Sequence, residues 1–397
     1  MSLTMNQESS TSVSAARKTL AFGSVTHIWS DAFFALMVPL LPFIAQDLGL
    51  SYAQTGMLRT VFSGASGVLQ IPAGYLAEVW GEFWLLIAGN VWVAGGLIAM
   101  GFSSTYITLL VTALLGGLGG GMQHPLATSM ISRAYERSNS FTAIGTVNFA
   151  GDLGKMAGPA LAAITVPLFG WRSTFIIAGV AGVLFMVITM TLKGSIAVAT
   201  AGKIRDVRGS EEDVPDAPSK AFVLLSAVGM LDAATRGAAL TFLPFILTGK
   251  GLDVAQVSVL FVLVFAGGAG GKLVLGWLGD HIGGLALIWS SKGLAAILLV
   301  SFLMLPTAAI IPLLVLFGFG LNGTSSVLYA SVARLVSPGK RARKYGVYYT
   351  ATEVATAIAP LGYGLLADAT NLSVTIVAMA VITATILPFS QLLRRYL

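Results

Sequence analysis

Several ionisable residues of this chain lie inside stretches built mainly of Ala, Gly, Val, Leu and Phe, and three of the acids stand three or four residues from a base. These three pairs are His27 with Asp31, Asp152 with Lys155, and Asp232 with Arg236. Side chains at this spacing share one face of a helix. A carboxylate or imidazole beside a cation can exchange a proton when its surroundings change, and a Lys or Arg side chain can bind an anionic group. The pattern therefore predicts proton exchange and anion binding.

A structural role stays open for each pair. Paired charges lower the cost of inserting a segment into a bilayer and can fix helix packing. A single charge at the bilayer centre costs roughly 2.5 to 3.5 kcal/mol on insertion scales. Apolar residues would insert more cheaply still, so the presence of three pairs together favours a function.

The elements that carry these residues are predicted to be transmembrane helices. Hydrophobic residues make up 56% of the 397 residues and charged residues only 10%, against about 25% charged residues in soluble proteins. A bilayer core needs roughly 20 apolar residues per helix. Twelve such spans are predicted: 20–45, 53–77, 83–103, 105–132, 139–168, 172–193, 220–248, 254–279, 284–305, 309–335, 343–367 and 371–393.

The basic residues of the short loops predict the orientation of the chain. Arg17 and Lys18 precede the first span, and further Arg and Lys residues follow the fourth and tenth spans, all on one side. This side is expected to be cytoplasmic, with both termini there. The polar start of the chain lacks the apolar core and cleavage site of a secretory signal, so the first span is expected to be retained. The predicted parts are a tail (1–19), a six-helix bundle (20–193), a polar linker (194–219), a second six-helix bundle (220–393) and a tail (394–397).

The two predicted bundles are related in sequence. LPF at 41–43 recurs at 243–245, and GYLAE at 74–78 recurs as GWLGD at 276–280. A shift of about the same size places Asp152 opposite Glu353. This parallel repeat of six helices resembles the major facilitator transporters, whose fold implies a substrate site near the bilayer midplane.

Several motifs resemble the fosmidomycin-resistance group of exporters within that superfamily. They are HIWSD at 27–31, DLGLSYAQTG at 47–56, LQIPAGYLAE at 69–78, MQHPLA at 122–127 and GDLGKMAGP at 151–159. The spacing of Gly145, Gly154, Gly158 and Pro159 is similar to the antiporter motif of the superfamily's fifth helix. The resemblance implies an efflux carrier without fixing its cargo.

The loop motif of the superfamily departs from its usual form in this chain. Gly74, Glu78 and Gly81 stand at its positions in the first half, with Glu in place of the usual Asp. Gly276, Asp280 and Gly283 stand there in the second half. No Arg or Lys follows Gly81 or Gly283, so the gating salt bridges attributed to this motif are expected to be rewired.

Candidate site residues are assigned by charge and by estimated depth in the membrane. Asp31, Asp152, Asp232, Arg236 and Glu353 are expected near the midplane. The predicted substrate ligands are Lys155, Arg236, Lys292, Arg59 and His124. The predicted proton-coupling residues are Asp31, His27, Asp152, Glu353 and Asp232. The predicted gating and loop residues are Gly74, Glu78, Gly81, Gly276, Asp280, Lys272, Gly154, Gly158 and Pro159.

The sequence therefore predicts a monomeric all-α secondary transporter of a bacterial inner membrane, and not an enzyme. It is expected to export a small anionic organic solute or drug in exchange for protons, with a proton gradient as its energy source. No cofactor, metal site or nucleic-acid partner is predicted. Proton symport or uniport of an organic anion stays open, as does a non-transporting receptor or assembly protein on the same fold.

Overall fold

The computed structural model describes residues 2–135, 140–191, 193, 219–336 and 341–395, and nearly all of these residues are helical. A short 3₁₀ turn, Gly119–Met122, interrupts the α-helices. The α-helices, numbered along the chain, are α1 Ser2–Leu48, α2 Tyr52–Trp80, α3 Glu82–Gly101, α4 Tyr106–Leu118, α5 Gln123–Ala134, α6 Ser140–Met190, α7 Ser219–Gly249, α8 Val254–Ile282, α9 Gly284–Met304, α10 Thr307–Asn322, α11 Thr324–Leu335, α12 Arg341–Ala369 and α13 Leu372–Gln391.

Within the described residues, nine helical stretches are long and apolar enough to cross a membrane. They include α1, α3, α6, α7, α8, α9 and α13, together with the consecutive pairs α4–α5 and α10–α11. The protein is thus an all-helical membrane protein, as predicted. The count of twelve spans and the side on which the termini lie stay predictions.

Two predicted spans are interrupted, and two others are joined. The 3₁₀ turn of three glycines and Met122 breaks the span predicted at 105–132. A second break, at Gly323, separates α10 from α11. Helix α6 covers both spans predicted between 139 and 193, and it is kinked at Gly170, whose φ of 75° is not helical.

The sequence repeat is visible in the backbone. Gly49 and Gly251 have φ angles of 63° and 87°, and Gly81 and Gly283 have φ angles of 77° and 82°. Glycine adopts this left-handed region without the steric cost that a Cβ atom brings. Each pair joins equivalent helix ends, so the two halves of the chain use the same turns at the same register.

The described chain divides into two compact units. Unit 1 comprises Met1–Met37 and Val61–Arg205, and unit 2 comprises Val38–Thr60 and Asp206–Leu397. The end of α1 and the start of α2 therefore pack with unit 2, where a Cβ on Gly56 would lie 2.2 Å from the carbonyl oxygen of Pro360. The two-bundle boundaries stay a prediction, and the predicted linker falls almost wholly outside the described residues.

Each unit has its own apolar core. Phe22, Leu86 and Met130 belong to the core of unit 1, and Leu225 and Leu328 belong to that of unit 2. Because lipid tails are as apolar as these side chains, helices within a bilayer are held together mainly by close van der Waals packing and interhelical hydrogen bonds. These cores hold the helices that carry the charged residues.

Within unit 1, α6 packs against α1 through glycines. A Cβ on Gly154 would lie 2.3 Å from the carbonyl oxygen of Ile28, and one on Gly158 would lie 2.4 Å from that of Ala32. Small residues four apart allow two helix backbones to approach closely. This contact places the charged residues of α6 beside those of α1.

We expect Gly154→Ala to lower the free energy of unfolding by about 1–3 kcal/mol, the usual cost of overpacking, because a backbone atom occupies the position of the new methyl group. Gly145→Ala is the matched control on the same helix, since nothing lies within 4 Å of the added Cβ. Thermal unfolding of the two variants in detergent measures the difference. Equal melting temperatures would show that α6 does not depend on this contact.

Candidate functional site

Three helices of unit 1 bring together His27, Asp31, His124, Asp152 and Lys155, which we call the unit 1 cluster. Helix α1 supplies His27 and Asp31, α5 supplies His124, and α6 supplies Asp152 and Lys155. The spacing of four residues on α1 and of three on α6 turns each pair toward a common face. The close contact of α6 with α1 then joins the two pairs into one site.

The ammonium group of Lys155 lies between two carboxylates. Its Nζ atom is 3.0 Å from Oδ1 of Asp152, to which it donates a hydrogen bond, and 3.3 Å from Oδ2 of Asp31. Asp31 also faces both imidazoles, with its Oδ2 3.6 Å from Nε2 of His27 and its Oδ1 3.8 Å from Nε2 of His124. Asp31 is therefore the centre of the cluster.

Burial differs sharply among these side chains. Those of His27, Asp31 and Asp152 are 3%, 8% and 10% exposed, whereas those of Lys155 and His124 are 36% and 56% exposed. The two acids are thus enclosed, while the cation and one imidazole can be reached from outside. With neutral imidazoles, the two carboxylates and one ammonium give a formal charge of −1. One proton would neutralise the site.

Buried polar groups fix the position of His124. Gln123, which precedes it, donates from Nε2 to Oγ1 of Thr26 on α1 at 3.3 Å. Its Oε1 accepts a hydrogen bond of 3.1 Å from Nδ2 of Asn90 on α3. Pro125 follows near the start of α5, where a missing N–H costs least. The start of α5 is therefore tied to both α1 and α3.

Unit 2 contains a more deeply buried group, which we call the unit 2 cluster: Asp232, Arg236 and Lys292. Oδ2 of Asp232 lies 3.5 Å from Nη1 of Arg236, and Oδ1 of the same carboxylate pairs with Lys292. Lys292 also donates to the carbonyl oxygen of Leu321 at 3.1 Å. Because the side chain of Lys292 is 0% exposed, its burial favours a structural role, and its role as a substrate ligand stays a prediction. Arg236, 18% exposed, is the more accessible cation.

Arg59 and Glu353 interact electrostatically within unit 2, and Glu353 also acts on Arg236. Arg59 lies on α2 and Glu353 on α12. The repeat makes Glu353 the counterpart of Asp152, and both acids face a cation. Their roles in substrate binding and proton coupling stay predictions.

The loop motif of the first half is followed by an ion pair that sequence reasoning missed. Glu82, which comes directly after Gly81, is buried. It pairs with Arg133 at the end of α5 and accepts a hydrogen bond of 3.1 Å from Ser129. An acid thus stands where the family motif has a base, and its partner is an arginine at the end of α5. That the gating salt bridges are rewired stays a prediction.

The other predicted loop residues are placed as follows. Gly74 and Gly276 are exposed on α2 and α8, Lys272 is partly buried on α8, and Pro159 is buried within α6. The side chains of Glu78 and Asp280 lie outside the described residues. The gating roles of all these residues stay predictions.

Asp368, near the end of α12, is a second residue that the sequence reasoning missed. Its carboxylate accepts hydrogen bonds from the backbone N–H groups of Tyr52 and Ala53, at 2.8 and 2.9 Å. Burial of Asp368 opposes its ionisation, but hydrogen bonds from Ser51, Ala53 and Tyr52 outweigh burial and lower its pKa below the ordinary 3.8. A carboxylate is favourable at a helix N-terminus. Asp368 of α12 therefore caps the first turn of α2 and holds it against α12 by these hydrogen bonds.

Most of the chain matches known membrane transporters in sequence. The model of the Major Facilitator Superfamily matches residues 20–224 and 225–395. The fosmidomycin resistance protein of Escherichia coli is 24% identical over 361 residues, which cover 88% of this chain and 86% of that protein. The hexuronate transporter of Bacillus subtilis is 24% identical over 356 residues, which cover 83% of each chain.

A solved structure has the same fold. It is a bacterial homologue of the human lysosomal transporter Spinster in an inward-facing and occupied conformation, with a TM-score of 0.80 and 16% sequence identity over 96% of this chain and 97% of that one. The resemblance to the fosmidomycin-resistance group, inferred from short motifs, is confirmed at the level of the whole chain. This chain belongs to the Major Facilitator Superfamily and is a multi-pass membrane transporter.

Proposed function

We propose that this transporter couples the movement of a small organic anion to protons at the unit 1 cluster. Lys155 is the charge partner of the anion, and Asp31 and Asp152 are the proton acceptors. The observation that carries the proposal is the position of one accessible ammonium group, 3.3 and 3.0 Å from two enclosed carboxylates. The Bacillus subtilis relative is named as a transporter of hexuronate. Hexuronate is a carboxylate, and this supports an anionic substrate for the present chain.

Protonation of the carboxylates would free Lys155 for the solute. While Asp31 and Asp152 are ionised, they hold the ammonium group and leave it little capacity for a further anion. A proton on either acid removes a partner of Lys155 and leaves part of the charge of its ammonium group uncompensated. An anionic solute then supplies the missing charge, so protonation and solute binding act on the same lysine.

The direction predicted from the sequence is export by proton antiport, across a bacterial inner membrane with the proton gradient as energy source. The resemblance to a protein named for fosmidomycin resistance supports export. The Gly154 and Gly158 contact of α6 with α1 supports the antiporter pattern, since a tightly packed, glycine-lined interface allows one helix to slide on another.

Proton symport is the second candidate, and both the charge of the cluster and the release of Lys155 by protonation favour it. An anion added to a site of formal charge −1 raises the affinity of the nearby carboxylates for protons, because like charges disfavour the ionised form. The solute and the proton then bind to the transporter at the same time rather than alternately. Antiport requires instead that the proton binds after the solute has left.

Reconstituted transport under a pH gradient tests the proposal. The solutes are a panel of hexuronates, aromatic carboxylates and phosphonates, and the variants are Asp31→Asn and Asp152→Asn, with Asp47→Asn as control because Asp47 is exposed on α1. We expect solute-dependent proton flux in the wild type and the control and its loss in both cluster variants. A proton flux opposite to the solute indicates antiport, and a parallel flux indicates symport. Uphill transport by both cluster variants with an unchanged proton flux would refute the proposal.

A further inference from the structure

Three donor groups of the unit 1 cluster have the spacing of a metal site. One ring nitrogen of His27, one ring nitrogen of His124 and a carboxylate oxygen of Asp31 all lie within 4.8 Å of one another. Nε2 of His27 is 3.6 Å from Oδ2 of Asp31, and Nε2 of His124 is 3.8 Å from Oδ1 of the same carboxylate. In a tetrahedral site with zinc–ligand distances of about 2.0–2.1 Å, neighbouring donors are roughly 3.4 Å apart. The donors furthest apart would have to approach by up to about 1.4 Å to share one ion, a movement that side-chain rotation of the largely exposed His124 can supply.

Gly151 leaves room beside these donors. A Cβ on this glycine of α6 would lie 2.7 Å from Oδ2 of Asp31 and 2.7 Å from Nε2 of His27. Any side chain at position 151 would therefore meet both donors. The absence of one keeps open the space beside the carboxylate and the buried imidazole.

Lys155 competes with a metal ion for Asp31. Its ammonium group is 3.3 Å from Oδ2 of Asp31, but it also has Asp152 at 3.0 Å. A lysine ammonium is a point charge on a flexible stem, so Lys155 can leave Asp31 and keep its hydrogen bond to Asp152. Asp31 and the two imidazoles would then be available together.

We propose that His27, Asp31 and His124 bind a divalent transition-metal ion of the zinc type, in competition with the Lys155–Asp31 ion pair. Two imidazoles and one carboxylate suit Zn²⁺, Ni²⁺ or Co²⁺, whereas Mg²⁺ prefers oxygen ligands. Because the side chain of His124 is 56% exposed, the ion has a route to the site, and the remaining coordination position is open to water. The binding does not depend on the identity of the transported solute.

Calorimetric titration of the purified full chain in detergent with zinc chloride tests this site. We expect one Zn²⁺ per chain and no binding of Mg²⁺. His124→Ala should weaken zinc binding by more than the roughly 10- to 100-fold that loss of an outer-shell partner costs. Since His124 is largely exposed, the variant should fold. His281→Ala is the control, because His281 is exposed on α8 and faces the carbonyl oxygen of Trp277, and it should leave zinc binding unchanged.

Two further variants distinguish zinc binding at these three donors from zinc binding elsewhere on the protein. Gly151→Ala changes no charge but fills the space beside the donors, so it should weaken zinc binding. Lys155→Met removes the competing cation, and it should raise the zinc affinity by about tenfold or more, the reverse of its expected effect on solute transport. The proposal is overturned if zinc does not bind, if binding survives His124→Ala, if His281→Ala abolishes it, or if Lys155→Met weakens it.

Discussion

Lys155→Met is expected to reduce solute transport by about 100-fold or more. Truncation of one partner of a buried, hydrogen-bonded charge pair costs about 2–5 kcal/mol, and here the same change removes the charge partner proposed for the solute. Asp31 and Asp152 would lose the cation that lies 3.3 and 3.0 Å from them. Initial transport rates in proteoliposomes, at equal amounts of folded protein, measure the effect.

Two control variants test whether the effect depends on a positive charge at position 155. Lys155→Arg keeps a cation on the same helix and should retain part of the activity, although the planar guanidinium cannot reproduce the ammonium geometry. Lys220→Met removes an exposed lysine of α7 and should leave transport unchanged. Wild-type transport by Lys155→Met would remove Lys155 from the mechanism.

Asp232→Asn is expected to lower the free energy of unfolding by about 3–5 kcal/mol, the usual cost of breaking a buried ion pair. The substitution leaves Lys292, whose side chain is 0% exposed, without its carboxylate partner. It also removes the carboxylate that pairs with Arg236. Unfolding in mixed micelles, followed by circular dichroism, measures the change.

A double variant distinguishes a structural role of Asp232 from a role in transport. Asp232→Asn combined with Lys292→Met removes the stranded charge and should recover much of the lost stability, since residues in contact show non-additive effects. If Asp232→Asn unfolds like the wild type but transports no solute, then Asp232 acts in transport rather than in packing.

The family, the internal repeat and the charged pairs within single helices could all be predicted from the sequence. The three pairs at spacings of three or four residues are all present, because helix geometry alone determines which of these side chains can meet. The recurrence of left-handed glycines at Gly81 and Gly283 follows the repeat in the same way.

The meeting of pairs from different helices could not be predicted, since it depends on helix packing. His124 lies near Asp31 only because α5 packs beside α1. Lys292 of α9 pairs with Asp232 of α7 in the same way. The pairing of Glu82 with Arg133 was also missed. A signal was available, because an acid stands at the position of the expected basic residue, but its partner lies far along the chain.

Proton counting during solute binding tests most directly the central claim, that solute binding at Lys155 is coupled to protonation of Asp31 and Asp152. The experiment is calorimetric titration of the purified chain, with a solute that the transport panel identifies, in two buffers of different ionisation enthalpy. We predict a net proton exchange on binding in the wild type, its loss in Asp31→Asn combined with Asp152→Asn, and severely weakened binding in Lys155→Met. Wild-type affinity in Lys155→Met, with unchanged proton exchange in the double variant, would contradict the account.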